Sequence, residues 1–554
     1  MTVIDEKFNE WLNRATDPVI KAELEAMKTD EAKKTNAFFK DLEFGTAGLR
    51  GELGAGTNCL NIYTIRKVTQ GIAECMKVKG WSVAAVSCDS RNNSDLFART
   101  VAEVFAANGI KTYLTPTLMP TPYLSYITRE YKANIGVMIT ASHNPAKYNG
   151  YKVYGSDGCQ LADEGALEMI NYISAIDAFT VKSESLEKYL AEGLVEFVSD
   201  DITKKYLDTV FALRSGTAEG LKVTFSALNG AGYKLVPEIL KRMQVESLSL
   251  VEEQCYPDGN FTTCAYPNPE KASALELGIK KAQENNSDIL IATDPDCDRV
   301  GIAVKTSDGY KLMTGNEVGV LLTRYLLQKK KENGTLPNKP VIVKTIVTTE
   351  LLRKVAEPYD AEIFDVLTGF KYIGNVIAGL ERKDEANRYL LGFEESYGYL
   401  SGTYVRDKDA VNASMLIAEM TAYYKKQGKT LVDCINEIYG QYGLYTHRLA
   451  TYDFPGAEGN AKMKSLLSSL REALPTQIGG TKIVKTVDYL TQTEADLPKS
   501  NVLSFFMEDG SQLIIRPSGT EPLIKMYLTA CFKTKEENEA KFATMRAWLD
   551  ENFK

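Results

Sequence analysis

The 554-residue chain carries 65 Lys and Arg against 73 Asp and Glu, for a net charge of -8, with 44% hydrophobic and 25% charged residues. At roughly 150 residues per domain this length predicts three or four domains, and the composition excludes a minimal disulfide scaffold and long disordered tracts. The acidic balance (pI about 5.3) argues against nucleic acid or an anionic membrane as the main partner; small anions need only a locally basic pocket.

Nine cysteines without a C-x-x-C spacing predict free thiols in a reducing cytoplasm. With only two histidines, His143 and His447, histidine-rich metal chemistry is excluded, so a metal would be held by oxygens. No apolar run approaches the roughly 18 residues of a membrane span, and the first seven residues lack a basic-then-apolar leader pattern, which predicts a cytoplasmic protein.

Short β-branched runs alternate with helical stretches, the pattern of α/β domains with largely parallel sheets. A first round reads as a strand at 83–87, a helix at 95–107 and strands at 111–114 and 134–140. A second gives a strand at 221–225, helices at 232–243 and 271–285 and a strand at 288–292. In the third, helices at 316–331 and 350–356 alternate with strands at 341–347 and 389–391. A shorter mixed segment holds a strand at 512–515 and a closing helix at 535–551. Domain boundaries are placed at 1–205, 206–308, 309–440 and 441–554. The lysine run at 329–333 reads as a solvated helix end.

Each round ends as an apolar strand running into a polar loop. These are Thr140-Ala-Ser-His-Asn-Pro145, Thr293-Asp-Pro-Asp-Cys-Asp-Arg299, Gly392-Phe-Glu-Glu-Ser-Tyr-Gly398 and Arg516-Pro-Ser-Gly-Thr-Glu-Pro522. Ligands of open α/β sheets bind beyond the carboxyl ends of strands, so the four loops could share one cleft.

Asp294, Asp296 and Asp298 alternate along their loop, and three like charges beside an apolar strand suit a hard cation, Mg²⁺ or Ca²⁺, better than they suit each other. An EF-hand fails at Arg299 and Lys305, where Gly and Glu would be required. Ser142 lacks the G-x-S-x-G setting of an acyl-transfer nucleophile; the alternative is a serine that carries a phosphoryl group, although singly such a serine is commonly a turn or cap. Arg516, Ser518, Gly519 and Thr520 offer a guanidinium, hydroxyls and amides for a bound phosphate. Glu394 and Ser396 offer acceptors for neighbouring sugar hydroxyls. Gly428-Lys-Thr430 has Tyr423 in place of the first P-loop glycine, and Gly54-Ala-Gly56 ends at Cys59, so nucleotide fingerprints fail.

Taken together and in order, these loops resemble the α-D-phosphohexomutase superfamily, and the chain is similar over essentially its whole length to the bacterial-type phosphoglucomutases within it. Phe44-Gly-Thr-Ala-Gly-Leu-Arg50, Asp89-Ser-Arg91, Thr368-Gly-Phe-Lys371 and Val405-Arg-Asp-Lys-Asp409 strengthen the resemblance. It implies an α/β, four-domain, heart-shaped molecule, with three similar α/β domains and a smaller α+β C-terminal domain around a central cleft. It implies that Ser142 is the phosphoserine and that Asp294, Asp296 and Asp298, with Ser142, hold Mg²⁺. Arg50, His143 and Lys152 would flank the phosphoserine, Lys152 as a general acid–base candidate.

Substrate contacts implied are Arg299, Thr368, Gly369, Lys371, Glu394, Ser396, Arg406, Lys408 and the group Arg516, Ser518, Gly519 and Thr520. The implied reaction interconverts α-D-glucose 1-phosphate and glucose 6-phosphate, an intramolecular phosphotransfer with glucose 1,6-bisphosphate as intermediate and activator. Phe370 and Lys371 stand where some mannose-accepting members have a histidine, which leans towards glucose and leaves mannose and pentose phosphates open. A non-catalytic sugar-phosphate-binding protein on the same fold is the rival from a different class.

Overall fold

The computed structural model describes residues 2–45, 48–161, 163–491, 497–518 and 523–553, the side chains at 163, 164, 456, 457 and 460 excepted. Four sheets follow one another along the chain. The first runs, edge to edge, through Leu49–Glu52, Tyr148–Gly155, Ile135–Ile139, Val83–Cys88, Lys111–Leu114 and Val195–Phe197. The second orders Gly309–Met313, Val300–Thr306, Ile289–Thr293, Lys222–Ser226 and Ser247–Leu250. The third orders Glu362–Val366, Val341–Thr345, Tyr389–Glu394 and Gly398–Leu400. The fourth, from Leu444–Asp453 to Gln477–Ile478, is antiparallel throughout. Three α/β domains and a fourth domain of a different kind follow.

The first three sheets share a local device that differs from the expected largely parallel sheet. Ile135–Ile139, Ile289–Thr293 and Tyr389–Glu394 each pair in parallel on one side and antiparallel on the other with the strand that comes next in sequence. Each polar loop therefore closes a hairpin and does not lead into a crossover helix. The loop joining Gln512–Pro517 to Leu523–Phe532 closes a fourth. A hairpin pins both ends of its loop, which limits how far a side chain there can wander. Gly309–Met313 also returns antiparallel on Val300–Thr306, so the second sheet runs past residue 308, where the sequence reading placed a boundary.

Helix Ala410–Lys425 is buried on nearly every face between the second and third domains, as its apolar residues on all sides allow. Its N-cap, Asp409, accepts from the amides of Val411 (2.8 Å) and Asn412 (3.0 Å) and from the hydroxyls of Tyr206 and Tyr404. Ile346, Val347 and Leu367 of the third domain share an apolar cluster with Val487, Tyr489, Val502 and Ile514 of the fourth. Three N-terminal helices, Val3–Arg14, Pro18–Met27 and Glu31–Phe38, enclose a separate cluster around Phe8, Trp11, Leu24 and Phe38.

Candidate active site

Ser142 occupies a left-handed backbone position (φ 53°) in the turn after Ile135–Ile139, with its amide donating to Thr140 Oγ1 at 2.8 Å. Thr140 in turn donates to buried Asp89 at 2.6 Å. Arg91 is 3% exposed and donates to the carbonyls of Ser142, Asn144, Pro145 (3.1 Å) and Tyr148 (3.0 Å). The serine turn is thus held from both sides by the pair Asp89 and Arg91. Gly48, at φ 95°, lets the preceding segment reach the next strand: a Cβ there would lie 1.9 Å from the Tyr151 carbonyl oxygen.

Ser142 Oγ donates to Asp294 Oδ2 at 3.1 Å and lies 3.2 Å from His143 Nδ1. Burial, then the Arg299 and Arg50 guanidiniums, push His143 well below its usual range, so the ring is neutral at pH 7. Arg50 is placed beside Gly150 by the pairing of its strand with Tyr148–Gly155. On that same strand Lys152 reaches Asp296 Oδ2 at 2.9 Å and Asp298 Oδ2 at 3.9 Å.

The three aspartates are almost wholly buried, and one carboxylate oxygen from each fits within 4.8 Å of the others. Asp294 Oδ1 accepts from the amides of Asp298 and Arg299, at 3.0 and 2.9 Å, which folds the loop back on itself. Asp296 Oδ2 also accepts from Thr121 Oγ1 at 2.9 Å. Burial and then the neighbouring carboxylates push Asp294 and Asp298 above the usual carboxylate range; against burial, Lys152 and then Lys408 hold Asp296 below it. Asp296 Oδ1 and Asp298 Oδ1 have no hydrogen-bond partner among the described residues. Buried carboxylate oxygens left over in this way, in a triad whose members each bring one oxygen within 4.8 Å of the others, fit a hard divalent cation.

Lys408 Nζ bonds Asp298 Oδ2 at 2.8 Å, and although burial opposes its charge, Asp298, Asp407 and Glu394 raise its pKa. Arg406, two residues earlier, takes a different place: its buried guanidinium binds the carbonyls of Thr403 and Val405 and the carboxylate of Glu381, and its amide donates to Ser125 Oγ at 3.0 Å. It clamps the third domain to the first. Arg299 pairs with Glu270 at 2.9 Å and stands beside Gly398 of the third domain. Glu394 is 5% exposed and accepts from the Gly369 amide at 2.9 Å, which joins its loop to the turn containing Thr368 and Lys371. Gly369 itself sits at φ 124°, which favours glycine. The Thr368 hydroxyl oxygen is buried, the Lys371 ammonium lies over the Tyr372 ring at 5.1 Å, and Ser396 is half-buried in the same loop. The charge of Arg516 acts on Tyr527 of the adjacent strand, and the Ser518 amide donates to the Leu523 carbonyl at 2.8 Å. Gly519 and Thr520 lie outside the described residues.

The groups that sequence reasoning missed as site residues are those that hold the others: Asp89, Thr121, Glu270 and Asp407. Asp89 and Arg91 stand in a short motif that could have signalled their role. Thr121 and Glu270 have no such local sign, because their partners lie 175 and 29 positions away.

His447 is remote from the serine. Its Nδ1 lies 3.0 Å from Thr529 Oγ1, and burial and then the Lys344 ammonium, against Glu350, push its pKa down to about 4 from 6.5. The folded chain thus favours the neutral ring, and stability present above pH 6.5 is lost as the pH falls towards 4. His447→Gln is expected to relieve up to about 3 kcal/mol of this acid destabilisation. Denaturant midpoints between pH 7 and 4.5 check it; parallel pH profiles for variant and wild type would contradict it.

Comparison with known proteins is consistent along the chain. Residues 41–179, 204–309 and 314–442 match the alpha/beta/alpha domains I, II and III of the phosphoglucomutase/phosphomannomutase family. A phosphoglucomutase from Staphylococcus haemolyticus is 35% identical over 532 residues, covering 94% of this chain and 95% of that protein. The open form of pp63/parafusin from Paramecium, a phosphoglucomutase, shares the fold with a TM-score of 0.68 at 19% identity, covering 92% of this chain and 95% of that one. N-acetylphosphoglucosamine mutase from Aspergillus fumigatus, solved in complex with glucose 1,6-bisphosphate, gives a TM-score of 0.50 at 15% identity with full coverage of both chains.

Proposed function

The chain belongs to the phosphoglucomutase/phosphomannomutase family, and from that membership we propose that it interconverts α-D-glucose 1-phosphate and glucose 6-phosphate through a phosphorylated Ser142. The observation that carries this reading is the meeting of three loops from three domains: Ser142 Oγ on Asp294, Lys152 on Asp296 and Lys408 on Asp298. A nucleophile, an anionic cage and two ammonium groups are the components of phosphoryl transfer, in which positioning and charge neutralisation do most of the catalysis.

Asp294, Asp296 and Asp298 would hold Mg²⁺, with phospho-Ser142 as a further ligand. Bound there, the cation withdraws charge from the transferring oxygens. The remaining work falls to the chain. Ser142 passes its phosphoryl group to the sugar O6 as the Oγ–P bond breaks; the Lys152 ammonium gives a proton to the departing serine oxygen, and the neutral amine so formed takes up the O6 hydroxyl proton. The resulting glucose 1,6-bisphosphate turns within the cleft, and its 1-phosphoryl group bonds to Ser142 Oγ as the O1–P bond breaks. Glucose 6-phosphate remains and the phosphoenzyme is restored. Either end of the sugar must meet one serine, so the opposite phosphate needs a grip that serves both orientations; Arg516, Ser518, Gly519 and Thr520 are assigned to it, together with Lys371. Glu394 and Ser396 read the sugar hydroxyls between the two phosphates. The crystallised relative with glucose 1,6-bisphosphate supports such an intermediate.

No helix of the described residues is long and apolar enough to cross a membrane, and the cysteines are free thiols, which supports a place in the reducing cytoplasm. The purified protein, given Mg²⁺ and catalytic glucose 1,6-bisphosphate, is expected to convert glucose 1-phosphate to glucose 6-phosphate in a dehydrogenase-coupled assay. Free phosphate as the main product, or binding without turnover, would overturn the assignment.

A further inference from the structure

We propose that Glu395 is a positioning residue that fixes the sugar-reading loop to the seat of the C-terminal domain. The inference deepens and rests on the reading of Glu394 and Ser396 as the acceptors of the sugar hydroxyls, between which Glu395 stands.

The loop backbone is tightly turned and closely packed at this point. Its backbone turns through a left-handed Tyr397 (φ 69°), and the Glu395 carbonyl is approached so closely by Gly315 that a Cβ there would lie 2.2 Å away. The Glu395 side chain turns away from Glu394 and Ser396. Its Oε2 accepts from Thr345 Oγ1 and Thr348 Oγ1, each at 3.2 Å, and those hydroxyls are 2.8 Å apart. Burial and then the adjacent Glu394 raise the Glu395 pKa to about 7.

Thr345 and Thr348 bracket Ile346 and Val347, which pack against Val487, Tyr489, Val502 and Ile514 of the C-terminal domain. The Lys344 ammonium, paired with Glu350 (2.7 Å) and Asp365 (2.9 Å), also binds the carbonyls of Thr345 and Thr348. Tyr527 of the C-terminal domain stands in the field of Glu395, Arg516 and Glu394. One short turn therefore supports both the carboxyl of Glu395 and the domain that holds the distal-phosphate grip. Seating that domain fixes the turn, the turn fixes Glu395, and Glu395 sets the direction of its two neighbours. It acts through them and touches no substrate.

The test compares Glu395→Ala, Glu395→Gln and the double variant Thr345→Val/Thr348→Val with wild type in glucose 1-phosphate kinetics. Glu395→Ala and the threonine pair should each raise KM on the order of tenfold while kcat stays within about threefold, because the loop loses sugar binding and the serine chemistry is untouched. Combining them should add little, since both remove the same contact. Glu395→Gln keeps the shape and a hydrogen-bonding end and should return KM to within about threefold of wild type. Wild-type KM in Glu395→Ala, a fall in kcat alone, or additive effects would overturn the positioning role while leaving the mutase assignment intact. No turnover in the wild type would instead overturn the assignment itself.

Discussion

Ser142→Ala is expected to lower mutase turnover by ~10⁴-fold or more, with KM for glucose 1-phosphate changed only a few-fold. The reasoning is geometric. Ser142 Oγ lies 3.1 Å from Asp294 of the aspartate cage, while the hydroxyls of Thr140 and Thr121 are committed to Asp89 at 2.6 Å and to Asp296 at 2.9 Å. Alanine retains the Cβ and the amide that donates to Thr140, so the left-handed turn should survive and the protein should fold. The sugar contacts assigned to the third and fourth domains are untouched, which is why binding should persist. Two measurements check this: coupled kinetics, and intact mass after incubation with glucose 1,6-bisphosphate. The wild type should gain one phosphoryl mass increment and the variant none. Normal turnover by the alanine variant would end the phosphoserine mechanism.

The elements that place this site were largely legible in the sequence. The β-branched run at 288–292 is the strand Ile289–Thr293, and the polar loop beyond it brings three aspartates together as their alternation suggested. Local pattern worked there because a buried strand and a charged loop are each encoded in a few adjacent residues. It failed where the determinant is long-range. Nothing near residue 300 announces that Val300–Thr306 returns antiparallel to close the loop as a hairpin. Arg406 and Lys408 are two residues apart in one basic motif, yet Lys408 faces Asp298 while Arg406 is turned towards Glu381 and its own loop's carbonyls. Charge type is visible in a sequence, but direction depends on which domain lies opposite. The N-terminal helices went unread although Asp17 before Pro18 and Asp30 before Glu31 are start signals, because their core forms only when the three meet.

The same contrast between local charge and long-range arrangement makes Asp296 the most informative member of the triad. Its Oδ2 is shared between Lys152 of the first domain and Thr121, while Oδ1 is buried with no hydrogen-bond partner among the described residues. An asparagine cannot satisfy both sides. With its oxygen turned to the Lys152 ammonium and the Thr121 hydroxyl, its NH₂ occupies the place of Oδ1 and offers protons where a cation would need an anion. Turned the other way, it sets an amide donor against an ammonium. Asp296→Asn should therefore lower kcat by ~10²–10³-fold, leave KM for glucose 1-phosphate within a few-fold, and require about a hundredfold more Mg²⁺ for half-maximal activity. Asp407→Asn serves as a comparison: it too loses a buried carboxylate paired with Lys408, at 3.2 Å, but it lies outside the triad. Its effect on the Mg²⁺ requirement should be small. Calorimetric titration of Mg²⁺ into the unphosphorylated proteins reads the metal directly, apart from turnover. If Asp296→Asn and Asp407→Asn shift Mg²⁺ binding equally, the triad is not the metal site and the two losses report only the buried charge of the cleft.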